Sequence, residues 1–74
     1  SPSKEETAFE QDLERLRGLL RQNDVAGAER LCRTLVSRHP GRPQAHEQLG
    51  RILLRAERFA EALAELKTAV QIDP

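Results

Sequence analysis

The chain has 74 residues, which allows one small domain with a modest core. Its twelve basic and twelve acidic side chains cancel, so no net field attracts nucleic acid or an anionic membrane. Two phenylalanines are its only aromatic residues, too few for a base-stacking surface, and no apolar run approaches the roughly 20 residues that span a bilayer. Neither nucleic acid nor a membrane is therefore expected as a partner.

The first predicted helix follows a short polar lead. Ser3 and Glu6 lie three residues apart and fit a capping box, which satisfies free amides at a helix start. The apolar residues that follow recur at spacings of three and four, which places them on one face of a helix: Phe9, Leu13, Leu16 and Leu20.

Three further helices are predicted. Asp24 is the expected N-cap of a helix from Val25 to about Arg38, whose apolar stripe is Val25, Ala28, Leu31, Cys32, Leu35 and Val36. Two prolines and a glycine end this helix, and Pro43 can open the next, where its missing amide hydrogen is harmless. The third helix is predicted from about Pro43 to Ala56 and the fourth from about Phe59 to Ile72. No run alternates with period two, so the predicted fold class is all-α.

The chain repeats itself after 34 residues. From Arg17 onward this offset gives nine identities in twenty-four pairs without a gap. The matched residues include Arg17 with Arg51, Leu19-Leu20-Arg21 with Leu53-Leu54-Arg55, Ala28 with Ala62, Val36 with Val70, and Pro40 with Pro74. A fixed period of this size indicates stacked repeat units.

One segment of the second unit resembles the tetratricopeptide repeat, a helix–turn–helix unit of 34 residues. Its order of residues carries the resemblance: Leu49-Gly50, Leu53, Phe59, Ala62, Leu66, Ala69 and Pro74. The resemblance covers about residues 9–74 and implies an α-solenoid of antiparallel helix pairs. The chain is interpreted as about two repeats of a longer protein. Residues 1–8 would form a partly disordered lead or helix start, residues 9–40 the first repeat and residues 41–74 the second.

The first unit admits two alignments with the second. In the 34-residue register, Leu16 takes the small-residue place of Gly50, and Arg15 takes the place of Leu49. A shift by one residue instead aligns Leu13, Leu16 and Leu20 with His46, Leu49 and Leu53. That shift would require a rotated first helix or a turn one residue shorter. His46 itself stands where the family often has tryptophan.

The helical stripe and the repeat together predict the core, with Gly50 and Ala62 small where two helices cross closely. The predicted core residues are Ala28, Leu31, Leu35, Leu49, Leu53, Phe59, Ala62 and Leu66. The last helix should leave an uncovered apolar strip made of Leu63, Leu66, Val70 and Ile72. Marginal stability or association of the chain is therefore expected, because repeat units bury their faces on neighbours.

Candidates for catalysis or metal binding are few. Cys32 lies in an apolar stripe and is interpreted as an ordinary buried cysteine. His39 and His46 flank a turn, whereas structural zinc usually takes four ligands in tighter pairs. We therefore predict no enzyme, no catalytic or metal residues and no cofactor.

Proteins similar to this one line the concave side of the solenoid with the first helix of each unit. The resemblance implies a groove lined by Arg17, Leu20, Arg21, Gln44, Glu47, Arg51, Leu54 and Arg55. Arginines four apart repel one another slightly, and an acidic partner would remove that cost. The predicted function is a scaffold or adaptor that binds a protein or peptide segment, acidic and hydrophobic in character. A solvated arginine surface without a ligand is the competing interpretation.

Two other functions stay open at this point. The chain could self-associate through exposed helix faces, as a homodimer or larger homo-oligomer. It could also be an accessory N-terminal domain of a larger enzyme. No segment at the start resembles a signal peptide, and a soluble protein in the cytoplasm is favoured over one in the periplasm.

Overall fold

The computed structural model describes residues 3–74. The helices are α1 (Lys4–Arg21), α2 (Val25–Arg38), α3 (Pro43–Arg55) and α4 (Phe59–Ile72), and residues 3–74 contain no strand. The predicted all-α fold of two helix–turn–helix units is confirmed. The predicted lead falls partly on residues 1–2, which lie outside the described residues. None of the four helices is long and apolar enough to cross a membrane.

The helices begin where the capping residues predict. The Ser3 Oγ accepts the backbone N–H of Glu6 at 3.1 Å, and the Asp24 Oδ1 accepts that of Gly27 at 2.9 Å. Pro43 is the first residue of α3. The two hydrogen bonds each satisfy an amide of the first turn that would otherwise lack a partner. Proline at the start of α3 has no amide hydrogen to satisfy.

The turns inside the two units have the same backbone geometry. Asn23 and Glu57, 34 residues apart, both have positive φ, at 58° and 60°. The next residue of each turn donates its backbone N–H to the carbonyl five residues earlier, Asp24 to Leu19 and Arg58 to Leu53, both at 2.9 Å. The 34-residue register therefore continues through the turn, and the alternative of a turn one residue shorter is wrong.

The core lies between helices that pack in chain order, α1 on α2, α2 on α3 and α3 on α4. Five predicted core residues are buried: Ala28, Leu35, Leu49, Leu53 and Ala62. Leu31 and Leu66 are half-buried. The core also contains Cys32, which is predicted to be buried, and four residues outside the predicted core set, namely Phe9, Leu16, Ala45 and Ile52.

The prediction that Phe59 is a core residue is wrong, because 61% of it is exposed. Its equivalent in the first unit, Val25, packs against the core that lies between the units. That core is completed by α3, whereas the described chain places no following helix against the matching side of the second unit. Whether the apolar residue at this place in the repeat is covered therefore depends on whether a further helix packs beside its unit.

Where the two helices of a unit cross, each unit pairs a large side chain with a small one, and the large side chain is on a different helix in each unit. A Cβ added to Gly50 would lie 2.8 Å from two atoms of the Leu66 side chain, so the second unit pairs a glycine with a leucine. The equivalent residues of the first unit are Leu16 and Cys32, which share one buried cluster. Large and small side chains have exchanged helices, which keeps each crossing filled.

Candidate functional site

A groove runs between α3 and α4, with a volume of about 570 Å³. We call it the α3–α4 groove, and its lining residues are Pro43, Gln44, Glu47, Arg51, Leu54, Leu66, Ala69, Val70 and Asp73. Four predicted ligand residues lie here, namely Gln44, Glu47, Arg51 and Leu54. Leu54 is 44% exposed and Val70 is 62% exposed. Their exposure makes this groove partly apolar.

The remaining predicted residues lie elsewhere. Arg17 and Leu20 line a smaller cleft of about 290 Å³ between α1 and α3, together with Glu10, Leu13, Leu16, Gln44 and Gln48. Arg21 and Arg55 are exposed in the last turns of α1 and α3 and line neither pocket. The predicted set is thus divided between two pockets on either side of α3, and Gln44 is common to both.

Carboxylates on the same helices pair with three of the four predicted arginines. Glu14 accepts hydrogen bonds from Arg17 at 3.0 Å and Arg21 at 3.5 Å, which hold the pKa of Glu14 below its usual value. Arg51 donates to Glu47 at 2.6 Å. The repulsion expected between arginines is therefore offset within the chain. Such solvent-exposed pairs are weak, so a bound carboxylate can replace them.

The prediction missed the contribution of α4. Leu66, Ala69 and Val70 form the apolar wall of the α3–α4 groove. The repeat contains a signal for them, because they lie 34 residues after Cys32, Leu35 and Val36. Those three residues of α2 belong to the clusters in which α3 is buried.

The thiol of Cys32 is buried and unreactive near neutral pH. Cys32 is fully buried within an apolar cluster, as its place in the stripe predicts. Burial, with a smaller contribution from nearby Glu29, raises the pKa of this thiol to about 12. The reactive thiolate form is therefore almost absent near neutral pH.

Both histidines have structural contacts. His39 packs edge-on against the Phe9 ring, with centroids 5.1 Å apart. His46 is only 7% exposed, and its ring nitrogens lie 2.8 Å from Glu65 Oε2 and 2.7 Å from the carbonyl oxygen of Pro40. Within residues 3–74, no three His, Cys, Asp or Glu side chains are grouped as metal ligands.

Comparison with known proteins identifies the repeat. A family model described as "Tetratricopeptide repeat" matches residues 13–74. No curated protein and no solved structure matches the chain significantly. The matched segment contains the second half of α1 and the whole of α2, α3 and α4. The chain therefore belongs to the tetratricopeptide repeat family.

Proposed function

We propose that the chain is a protein-interaction module that binds a segment with apolar and acidic side chains in the α3–α4 groove. Repeats of this family generally mediate protein–protein interaction and are typically scaffolds rather than enzymes. One observation carries the proposal: Arg51, Leu54 and Val70 line the same groove, with both apolar side chains exposed.

The apolar part of the ligand would cover Leu54 and Val70. Removing apolar surface from water contributes roughly 25 cal/mol per Å², so two half-covered aliphatic side chains offer about 1–3 kcal/mol. Leu66 and Ala69 extend this surface along α4. A small aliphatic side chain fits such a surface better than a polar one, because polar groups lose hydrogen bonds to water there.

The acidic part of the ligand would bind Arg51 in the groove and Arg55 one turn later, beyond the residues that line the groove. A guanidinium can donate two parallel hydrogen bonds to one carboxylate. The side chain of Arg51 is 64% exposed even while it donates to Glu47. A carboxylate of the partner can therefore approach it without first opening a buried contact.

A displayed library of random peptides tests the proposal with the whole chain as bait. We expect selected peptides to be enriched in Asp or Glu together with Leu, Ile or Val. The double variant Arg51→Glu, Arg55→Glu should lose their binding. Arg30→Glu is the matched control, because Arg30 is exposed on α2, away from the groove. Peptides that bind both variants equally well would refute the groove as the binding site.

Self-association is a second candidate function, supported by one observation. Three residues of the predicted uncovered strip, Leu63, Val70 and Ile72, are exposed on α4, and the fourth, Leu66, is half-buried. Two copies could cover these side chains by pairing their α4 helices. Sedimentation velocity over a concentration series distinguishes the candidates, since only self-association shifts the species without added peptide.

A further inference from the structure

A cleft of about 390 Å³ lies between α1 and α2, and no residue of α3 or α4 lines it. We call it the α1–α2 cleft. Three arginines border it, together with a half-buried leucine, a threonine and a buried aspartate. These lining residues are Asp12, Arg15, Arg30, Leu31, Thr34 and Arg38. The cleft therefore combines positive charge with some apolar surface.

Arg30 and Arg38 are exposed, and no carboxylate of residues 3–74 forms an ion pair with either. Most other arginines of the described chain do pair with a carboxylate, namely Arg15, Arg17, Arg21, Arg33, Arg51 and Arg58. The repeat does not require charge at these two places, because the residues 34 positions later are Ala64 and Ile72. The fold thus leaves two cations available at one cleft.

The two carboxylates that line the cleft already accept hydrogen bonds from nearby groups of the chain. Asp24 Oδ1 accepts the backbone N–H of Gly27 at 2.9 Å as the N-cap of α2. Asp12, whose side chain is 9% exposed, accepts a hydrogen bond from Arg15 at 3.3 Å. The uncompensated charge of the cleft is therefore positive, which favours an anionic ligand over a cationic one.

Stacking of units leaves the α2 side of this cleft open. The helix α4 packs on α3, but its backbone stays apart from that of α2, although the first unit lies beside it. Ala64 is accordingly exposed and Ile72 is 38% exposed, and these two residues are the equivalents of Arg30 and Arg38. A further unit beside α1 would therefore leave Arg30 and Arg38 accessible.

We propose that the α1–α2 cleft binds an extended acidic segment of a partner protein. Arg30 and Arg38 lie eight residues apart on α2, which is about 12 Å along a helix axis. An extended chain rises about 3.3 Å per residue, so side chains four residues apart span a similar distance and point to the same side. The segment therefore presents acidic residues at i and i+4, and an apolar residue at i+2 that contacts Leu31.

Two further residues of the cleft can bind the same segment. The Thr34 hydroxyl, midway between the two arginines, donates to the carbonyl of Arg30 at 3.2 Å, so its oxygen is free to accept a backbone N–H of the ligand. Arg15 is 72% exposed while it donates to Asp12, so it too can bind a carboxylate. The cleft shares no lining residue with the α3–α4 groove, so its test is independent of the proposed function.

Three peptides of one composition test the spacing. The first is acetyl-Gly-Glu-Thr-Val-Thr-Glu-Gly-amide with a fluorophore, in which β-branched residues favour an extended chain. Its two isomers place the glutamates two and six residues apart at the same length and net charge. Anisotropy on titration with the whole chain should show at least about threefold tighter binding of the first peptide. A first peptide that does not bind, or binds no better than its isomers, would overturn the inference.

Charge reversal tests the arginines. The double variant Arg30→Glu, Arg38→Glu should bind the first peptide at least about fivefold more weakly, because two attractive contacts become repulsive. Lys67→Glu is the matched control, since Lys67 is an exposed cation of α4 outside the cleft. Unchanged binding by the double variant, or an equal loss in the control, would contradict the site. A library peptide that depends on Arg30 binds the cleft, and one that depends on Arg51 binds the groove.

Backbone NMR signals of the isotope-labelled chain locate the first peptide. Signals of Leu31 and Thr34 should move, while those of Leu54 and Val70 should stay in place. Movement of the latter pair alone would place the peptide in the α3–α4 groove, which refutes the cleft and leaves the proposed function standing. Inorganic phosphate is the remaining control. If it moves Leu31 and Thr34 as far as the peptide does, the site takes a small anion and the inference is wrong.

Discussion

At the scale of single residues, His46 joins three segments of the chain. Its ring nitrogens face a carboxylate of α4 and the carbonyl of Pro40, both of which only accept hydrogen bonds. Both contacts are hydrogen bonds only when both nitrogens carry protons. Burial lowers the pKa of His46, but hydrogen bonds to Glu65 and the Pro40 carbonyl outweigh it, so the pKa is raised above its usual value of 6.5.

Folding stability should therefore fall as the pH rises. A raised folded-state pKa means that the contribution of His46 is complete below about pH 6.5 and is lost as the pH passes the folded-state pKa. Urea unfolding from pH 5.5 to 8.5 measures this change. His46→Gln should remove that part of the dependence and His39→Gln should keep it. An identical fall in the His46→Gln variant would contradict the assignment.

Two glycines inside helices should respond oppositely to alanine. Gly50→Ala forces its new Cβ against Leu66, and such overpacking costs about 1–3 kcal/mol, against about 1 kcal/mol gained in helix propensity. A Cβ at Gly18 meets only the end of the Arg21 side chain, at 3.8 Å. We therefore expect Gly50→Ala to destabilise the fold and Gly18→Ala to stabilise it by about 1 kcal/mol.

Thermal or urea unfolding of both variants measures these effects. In a chain that already carries Leu66→Ala the clash is absent. Gly50→Ala should therefore stabilise that variant rather than destabilise it. Equal stabilisation by Gly50→Ala and Gly18→Ala would show that the helix crossing at Gly50 is looser than described.

At the scale of helices, four charged side chains connect α2 with the start of α4. Arg58 donates to Glu29 at 2.9 Å and to Glu61 at 2.7 Å, while Arg33 donates to the same two carboxylates at 3.0 and 3.2 Å. These bonds lower the pKa of both carboxyl groups, with Arg33 the main cause at Glu29 and Arg58 at Glu61. The network links the second helices of the two units on their exposed side.

Removing one member should weaken this link between the units. A lowered folded-state pKa means that the stabilisation is present above about pH 4.5 and is lost as the pH falls through the folded value. We expect Arg58→Gln to lower the unfolding midpoint at pH 7, and to do so less in concentrated salt or at pH 3. Arg30→Gln, on the exposed side of α2, is the control. A salt-independent effect would point to packing rather than charge.

At the scale of the whole molecule, the exposed side of α4 should limit stability. Cores of chains this small rarely supply more than about 3–5 kcal/mol, and here Leu63, Val70 and Phe59 stay exposed. We expect the isolated chain either to unfold at low urea concentration or to associate as its concentration rises. Sedimentation velocity and urea unfolding at several concentrations measure both.

Variants of α4 separate these outcomes. Leu63→Lys and Val70→Lys change exposed residues, so they should leave the monomer folded and reduce association. A strictly monomeric chain with a high unfolding midpoint would contradict the expectation.

The sequence alone determined the helices, their order and the repeat. Ser3, Asp24 and Pro43 mark helix starts through contacts within one turn, and apolar spacings of three and four depend only on helix geometry. Gln44, Glu47, Arg51 and Leu54 line the α3–α4 groove, whereas the resemblance implied a groove between the first helices of the two units. Tetratricopeptide membership follows from the same local pattern as the helices. These features are predictable because they depend on residues close together in the chain.

Only the tertiary structure decided which apolar residues are covered and which side chains meet. Phe9 is buried while Phe59 is exposed, because α3 completes the core beside the first unit and no described helix does so beside the second. The α4 wall of the groove and the contact between His46 and Glu65, 19 residues apart, likewise depend on how α3 packs against α4. Such contacts are set by the distance between helices in space, which neither spacing nor composition encodes locally.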